Sequence, residues 1–444
     1  MPAQLKLPGV PPAKQGREVP PRWEWTEASV WTEGMLTTLE RGIKGGKWFS
    51  LIDKVWKMDN LQSAARKVAA HKSQKKPDGR KCRRYLEESP WRLPRLQDKI
   101  RRGGYEPQPV QRVWISKLGS KELRPLGLPT VEDRVVEMAM RNVIEPIFEH
   151  EFAEHSYGFR PNRGAKDALR RVDQLLKGGK VWVVDADIKS YFDQIPQDKL
   201  LAEIAQCISD GAVLEMIQRL LEKGVMESGK GWKPTENGTP QGAVISPLLA
   251  NIYLNRLDHL MAEAGWEMVR YADDFVTLCV SQEAAERALA QVRAWTEQAG
   301  LTLHPEKTRI VDASQRGGFD FLGYHFERGY RWPRKKSLDK FKEAIRKKTR
   351  KLRPGSMEDI TSDINRTLRG WFEYFKHSLR NTFPPLDGWI RQRLRTILRH
   401  RHKGKGRARG RDHQRWPNAY FAELGLISLT TARAKASRSC YAGH

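Results

Sequence analysis

Hydrophobic positions along this chain repeat at two periods, and each change of period marks an element. From EWTEASVWTEGMLTTLERGI onward apolar residues recur at helical spacing, and NLQSAARKVAAHK predicts a helix opening at Asn60. KSQKKPDGRKCRR interrupts that pattern as a basic, turn-rich link. PTVEDRVVEMAMRNVIEPIFEHEF starts with Pro and Thr and then sets Val135, Met138, Val143 and Ile147 on one stripe, which predicts a scaffold helix. After it come a short Val-rich strand, VWVVDADI (181–188), a helix, NIYLNRLDHLMAEAG, and a hairpin candidate, VRYADDFVTLCV. SQEAAERALAQVRAWTEQAG predicts a long amphipathic helix ended by Gly300, and FDFLGYHF (319–326) an aromatic strand pair around Gly323. Strands and helices alternate through this middle third.

Composition changes the picture at the two ends. Residues 1–22 carry six prolines and little periodicity, which predicts an extended arm. Eighty Lys and Arg against 53 Asp and Glu give a formal charge of +27, an excess suited to a polyanionic partner such as nucleic acid. Most of it sits in one stretch: residues 331–411 hold 26 Lys and Arg against 7 Asp and Glu, a difference of +19. There the charges interleave with Trp371, Phe372, Tyr374, Phe375 and Trp389, so helices can pack on one face and present cations on the other. RHRHKGKGRARGR reads as a glycine-spaced basic link that orders on RNA or DNA. The four cysteines are far apart and form no CxxC pair, which argues against a zinc site or a disulfide framework and for reduced thiols in the cytoplasm. No window approaches the roughly 18 consecutive apolar residues of a membrane span, so no membrane association is expected.

The chemistry concentrates in carboxylates placed within apolar strands. VVDADIKSYFD supplies Asp185, Asp187 and Asp193, and YADD supplies Asp273 and Asp274. Isolated carboxylates in an apolar setting are costly and adjacent ones repel, so they call for a positive partner. Alternate strand residues share a face, which puts Asp185 and Asp187 on one side; Asp273 and Asp274 point oppositely unless YADD forms a hairpin tip. With that tip beside the first strand, three carboxylates could surround two divalent ions and serve a phosphoryl transfer, with Mg²⁺ as the compensating charge.

RPLGLPTVEDRVVE (124–137), SYGFRPNRGAKDAL (156–169), DADIKSYFD (185–193), GTPQGAVISPLLANIYLNRLD (238–258), YADD, GLTLHPEKT (300–308) and FLGYHF (321–326) resemble, in the family's order, the reverse transcriptases of group II introns. LRGWFEYF, LDGWIRQRLRTILR and WPNAYFAELGLISL resemble the maturase thumb and the start of its DNA-binding region. The resemblance implies an α+β right-hand polymerase: fingers, a palm with an antiparallel sheet, an α-helical thumb and a small C-terminal nucleic-acid-binding module. The corresponding boundaries are 1–50 for the arm and N-terminal extension, 51–180 for fingers with part of the palm, 181–330 for the palm, 331–400 for the thumb and 401–444 for the basic module.

The same resemblance implies roles for single residues. It selects Asp187, Asp273 and Asp274 as the catalytic acids and ligands of two Mg²⁺ ions, which Mn²⁺ could replace, with the Ile188 carbonyl nearby and Asp185 structural. Lys117 and Arg124 match finger residues that hold the incoming dNTP, Gln241 the residue against its sugar, Phe192 the ring that excludes a 2′-hydroxyl, and Lys307 a residue at the pyrophosphate. Arg346, Lys347, Lys348, Arg350, Lys351, Arg391, Arg395 and Arg399 are the expected nucleic-acid contacts of the basic module. Three positions depart from the common pattern: Ser116 for proline, Glu137 for glutamine and Ala243 for glycine. No paired cysteines and histidine cluster of an HNH endonuclease precede His444, which implies the endonuclease-lacking bacterial type, primed by a nick or replication primer made elsewhere. The implied function is an RNA-directed DNA polymerase and maturase that binds intron RNA, assists splicing and copies the intron at a DNA target, as a cytoplasmic ribonucleoprotein with one or two protein copies. Alternatives are a splicing-only cofactor and a reverse transcriptase co-opted for defence or repair; the intact acids argue against the first, and LRGWFEYF and WPNAYF against the second.

Overall fold

The computed structural model describes residues 21–43, 45–70, 77–116, 123–227 and 231–441. Most of the predicted proline-rich arm lies outside them, as does Lys117. The N-terminal part is helical: Glu33–Arg41, Met58–Ala70, Pro77–Glu87 and Ser89–Arg101 gather around the long helix Val131–Glu151. Thr130 caps that helix by accepting the Asp133 N–H at 3.1 Å, and nearly all of its circumference is buried, more than one stripe implies. Two local predictions fail here. Asn60 does not open a helix; it lies inside Met58–Ala70, buried, donating to the carbonyls of Lys54 (2.9 Å) and Ala139 (3.0 Å) and accepting from Asn142 (2.8 Å). The described part of the supposed link, from Pro77 on, is helix, because Cys82 and Tyr85 in Pro77–Glu87 find a core to bury against.

Eleven strands occur among the described residues: β1 (Val110–Ser116), β2 (Leu123–Leu128), β3 (Trp182–Asp187), β4 (Val225–Glu227), β5 (Gly231–Lys233), β6 (Glu267–Tyr271), β7 (Asp274–Cys279), β8 (Arg309–Asp312), β9 (Phe319–Phe321), β10 (Tyr324–Glu327) and β11 (Tyr330–Pro333). They form three sheets, ordered β2-β1-β4-β5, β6-β7-β3-β8 and β11-β10-β9. The central sheet is antiparallel throughout and covered on both faces. Val184, Ala186 and Phe275 face the helices Val131–Glu151, Ser246–Glu263 and Gln282–Gln298, while Val183, Val269, Val276 and Leu278 face Ala165–Lys177 and the β9–β10 aromatics. Burial on both sides explains why these strands read as near-continuous apolar runs.

Beyond β11 the chain builds a separate helical core from Lys335–Lys348, Met357–Phe375 and Phe383–Arg401. Trp416, Phe421 and Leu429 join the same core, and Phe383–Arg401 runs on through the expected boundary at 400. The glycine-spaced link differs from its prediction: Ala408 is buried, its carbonyl accepts from Gln392 at 2.7 Å, and Arg399 donates to the Lys405 carbonyl at 2.9 Å.

Candidate active site

Strand register brings the acids together. β3 lies between β7 and β8, which sets Asp187 directly opposite Asp274 and Asp185 opposite Val276 and Arg309. β6 and β7 are joined through Ala272 and Asp273, so YADD is the expected hairpin tip and both of its aspartates reach the end of β3 that carries Asp187. That end is tied down on its other side: the Asp187 carbonyl accepts from the His304 N–H at 2.7 Å and the Lys189 N–H donates to Thr302 at 2.9 Å, flanking the buried Ile188.

Cations meet Asp187 and Asp185. Lys307 Nζ donates to Asp187 Oδ2 at 2.5 Å, and Arg309 Nε to Asp185 Oδ2 at 3.3 Å. Burial still pushes the Asp185 carboxyl above its ordinary value. Burial, followed by the charges of Asp185, Asp273 and Asp187, pushes Asp274 up to about 7, with Arg334 partly opposing the shift. A carboxyl so crowded by others calls for positive charge, and hard oxygen donors are the set that suits Mg²⁺. Asp187, Asp273 and Asp274 supply that donor chemistry; among the described residues no three such side chains already converge on one point, and Lys307 stands beside Asp187.

The loop expected at the nucleotide packs on the turn of Phe192 and Asp193 that follows β3. Phe192 is 9% exposed, set edge-on to Tyr191, and its carbonyl accepts the Thr239 N–H at 2.7 Å. Gln241 Nε2 donates to Asp193 Oδ2 at 3.3 Å, and the Gln241 carbonyl accepts from the Gly127 N–H of β2 at 2.7 Å. Gly242 has φ 113°, and a Cβ there would stand 2.6 Å from the Gly127 carbonyl, so this close approach requires glycine. Arg124 sits on β2 opposite Ile115; its side chain is outside the described atoms.

One residue of this site carried no role in the sequence. Glu137 is buried; one carboxylate oxygen accepts Lys223 Nζ at 2.8 Å and the other the Val244 N–H at 2.6 Å, so a buried ion pair backs the loop. The available signal was a charge in the stripe of each of two helices, Glu137 among valines and Lys223 after Leu220 and Leu221, each needing a partner if buried.

The expected nucleic-acid contacts divide. Arg346, Lys347, Arg350 and Lys351 are exposed and Arg391 is half-buried. Arg395 corrects the expectation: it is 3% exposed, donates to the Trp416 carbonyl and Asn418 Oδ1 at 2.8 Å each, and lies over the Phe421 ring, so it serves the core. Lys348 is bound to Asp363 at 2.9 Å and Arg399 to Asp412 at 2.7 Å.

Residues 115–326 match the family model for reverse transcriptase (RNA-dependent DNA polymerase), and residues 338–416 the maturase-specific domain of group II introns. The chain is 33% identical to protein YkfC of Escherichia coli over 52% of its length and 70% of YkfC. It is 38% identical to the group II intron-encoded protein LtrA of Lactococcus lactis over 42% of its length, which takes in 31% of LtrA. A 91 kDa protein in the cob intron of Schizosaccharomyces pombe is 31% identical over 46% of this chain and 32% of its own. No helix among the described residues is long and apolar enough to cross a membrane.

Proposed function

Because the chain belongs to the family of group II intron-encoded reverse transcriptases and maturases, we propose that Asp187, Asp273 and Asp274 are the catalytic acids of its RNA-directed DNA polymerase. The observation that carries this is the register: Asp187 faces Asp274 across β3 and β7, with Asp273 at the adjoining tip. Mg²⁺ bound by these acids would stabilise charge on the attacking and leaving oxygens of nucleotidyl transfer. Gln241 and Phe192 position the incoming dNTP against the sheet, and Lys307, within reach of Asp187, binds its phosphates. Lys117 and Arg124 belong to the same task. Residues 51–180 act as fingers, 181–330 as palm and 331–444 as thumb and basic module. The exposed Arg346, Lys347, Arg350 and Lys351 hold intron RNA, and the enzyme copies that intron from a primer at a DNA target. Primer extension on an RNA template tests the assignment: synthesis should require Mg²⁺ or Mn²⁺ and stop on chelation, and extension that persists without a divalent ion would remove the acids from the chemistry.

A further inference from the structure

We infer that Arg270 is a positioning residue for the catalytic turn: buried against Asn251 and Asp258, it holds the Ala272 carbonyl and so fixes where Asp273 presents its carboxylate. Tyr271 pairs with Asp274, which leaves two residues for the turn. Two-residue hairpins of this kind need a positive φ at the first central position, where glycine or asparagine is the ordinary choice. Here that position is Ala272, at φ 60°. An alanine stays in the left-handed region only where its surroundings over-determine it.

Five contacts do so. Arg270 Nη1 donates to the Ala272 carbonyl and to Asn251 Oδ1, each at 2.9 Å. Asn251 Nδ2 donates in turn to the Gly158 carbonyl at 2.8 Å. Gly158 lies flat against the turn, so close that a Cβ there would stand 2.3 Å from the Ala272 nitrogen. Asp258 grips the other edge of the guanidinium, taking Nε at 2.7 and 3.0 Å and also Nη2. Asn251 and Asp258, seven apart on the helix Ser246–Glu263, present one face to the arginine. Replacing a buried ion pair with apolar groups is often neutral or stabilising, so core stability alone does not call for Arg270. An apolar side chain cannot donate to Ala272, and a lysine cannot span Asp258, Asn251 and Ala272 together as a planar fork does.

The inference rests on the proposed role of Asp273, and the test separates the two. Mn²⁺ binding is followed by electron paramagnetic resonance, alongside single-turnover extension and intron RNA affinity, in the full chain and in Asn251→Ala, Arg270→Lys and Asp273→Asn. Asn251→Ala, which removes the support without touching the charge pair, should weaken Mn²⁺ binding and slow extension by roughly 10- to 100-fold while KM for dNTP and RNA affinity stay unchanged. Arg270→Lys should do the same where it folds. If Asp273→Asn loses Mn²⁺ and folded Asn251→Ala does not, the turn keeps its geometry unaided and the positioning role is overturned. If Asp273→Asn binds Mn²⁺ as the parent does, the assignment of the acid falls and the inference falls with it.

Discussion

The central sheet and the basic helical module treat charge in opposite ways. In the sheet, Asp185, Asp187, Asp273 and Asp274 crowd one end of paired strands, and the two cations that touch Asp185 and Asp187 leave Asp274 raised to about 7. In the helical module, by contrast, several of the cations are held by the protein itself. Lys348, Arg353 and Arg366 converge on Asp363, Arg399 on Asp412, and Arg395 is enclosed. Unbalanced charge marks the place where a ligand ion is expected; balanced charge marks structure, however basic the sequence. The surplus of +19 over 331–411 therefore overstates the cations this module offers to RNA.

The largest effect should come from breaking the sheet side alone. Asp273→Asn keeps the volume and the turn but removes one anionic ligand, and primer extension should fall by about three orders of magnitude or more. Intron RNA affinity and assisted splicing should persist, because the proposed RNA contacts are the exposed cations of the helical module. A variant that remains folded by circular dichroism yet loses splicing in parallel would erase the division between the two regions.

How far this division was legible depends on what fixes each residue. β3 and the YADD hairpin are written in local sequence, since a run of β-branched residues interrupted by acids has few other uses, and register then follows from burial on both faces. Asp185, Asp187, Asp273 and Asp274 were singled out that way, and the family resemblance chose Asp187 over Asp185. Asn60, Glu137 and Arg395 were not. Each is a polar residue whose partner lies far along the chain: Ala139 for Asn60, Lys223 for Glu137 and Trp416 for Arg395. Composition reports that a charge is present; only the fold reports what it faces.

A smaller effect sharpens the boundary between the nucleotide loop and the core. Phe192→Ala removes the ring set edge-on to Tyr191 and should raise ribonucleotide incorporation by roughly tenfold or more relative to deoxyribonucleotides. Unchanged discrimination, with lower stability, would assign the ring to packing alone. Next comes Glu137→Gln, which keeps a hydrogen-bond acceptor for Val244 but strips Lys223 of its buried counter-charge. Breaking such a pair costs about 3–5 kcal/mol, so Tm should drop, and with the loop loosened KM for dNTP should rise more than kcat falls. Restoring neutrality with Lys223→Met in the same chain should recover most of the stability.

The finest test compares cations inside the basic module. Lys347 and Arg350 are exposed at the end of the helix Lys335–Lys348 and just beyond it, while Arg395, on the neighbouring helix, is enclosed. If the first two neutralise RNA phosphates, each alanine substitution releases one counterion fewer on binding. The slope of log affinity against log salt should then flatten by about 0.7–0.9 per residue, with Tm nearly unchanged. Arg395→Met should do the reverse, leaving the slope intact while the loss of its bonds to Trp416 and Asn418 lowers stability by about 2–3 kcal/mol. Measured salt slopes that fall equally for all three would mean that Arg395 reaches RNA by leaving its site, and charge in this module would have to be counted from sequence after all.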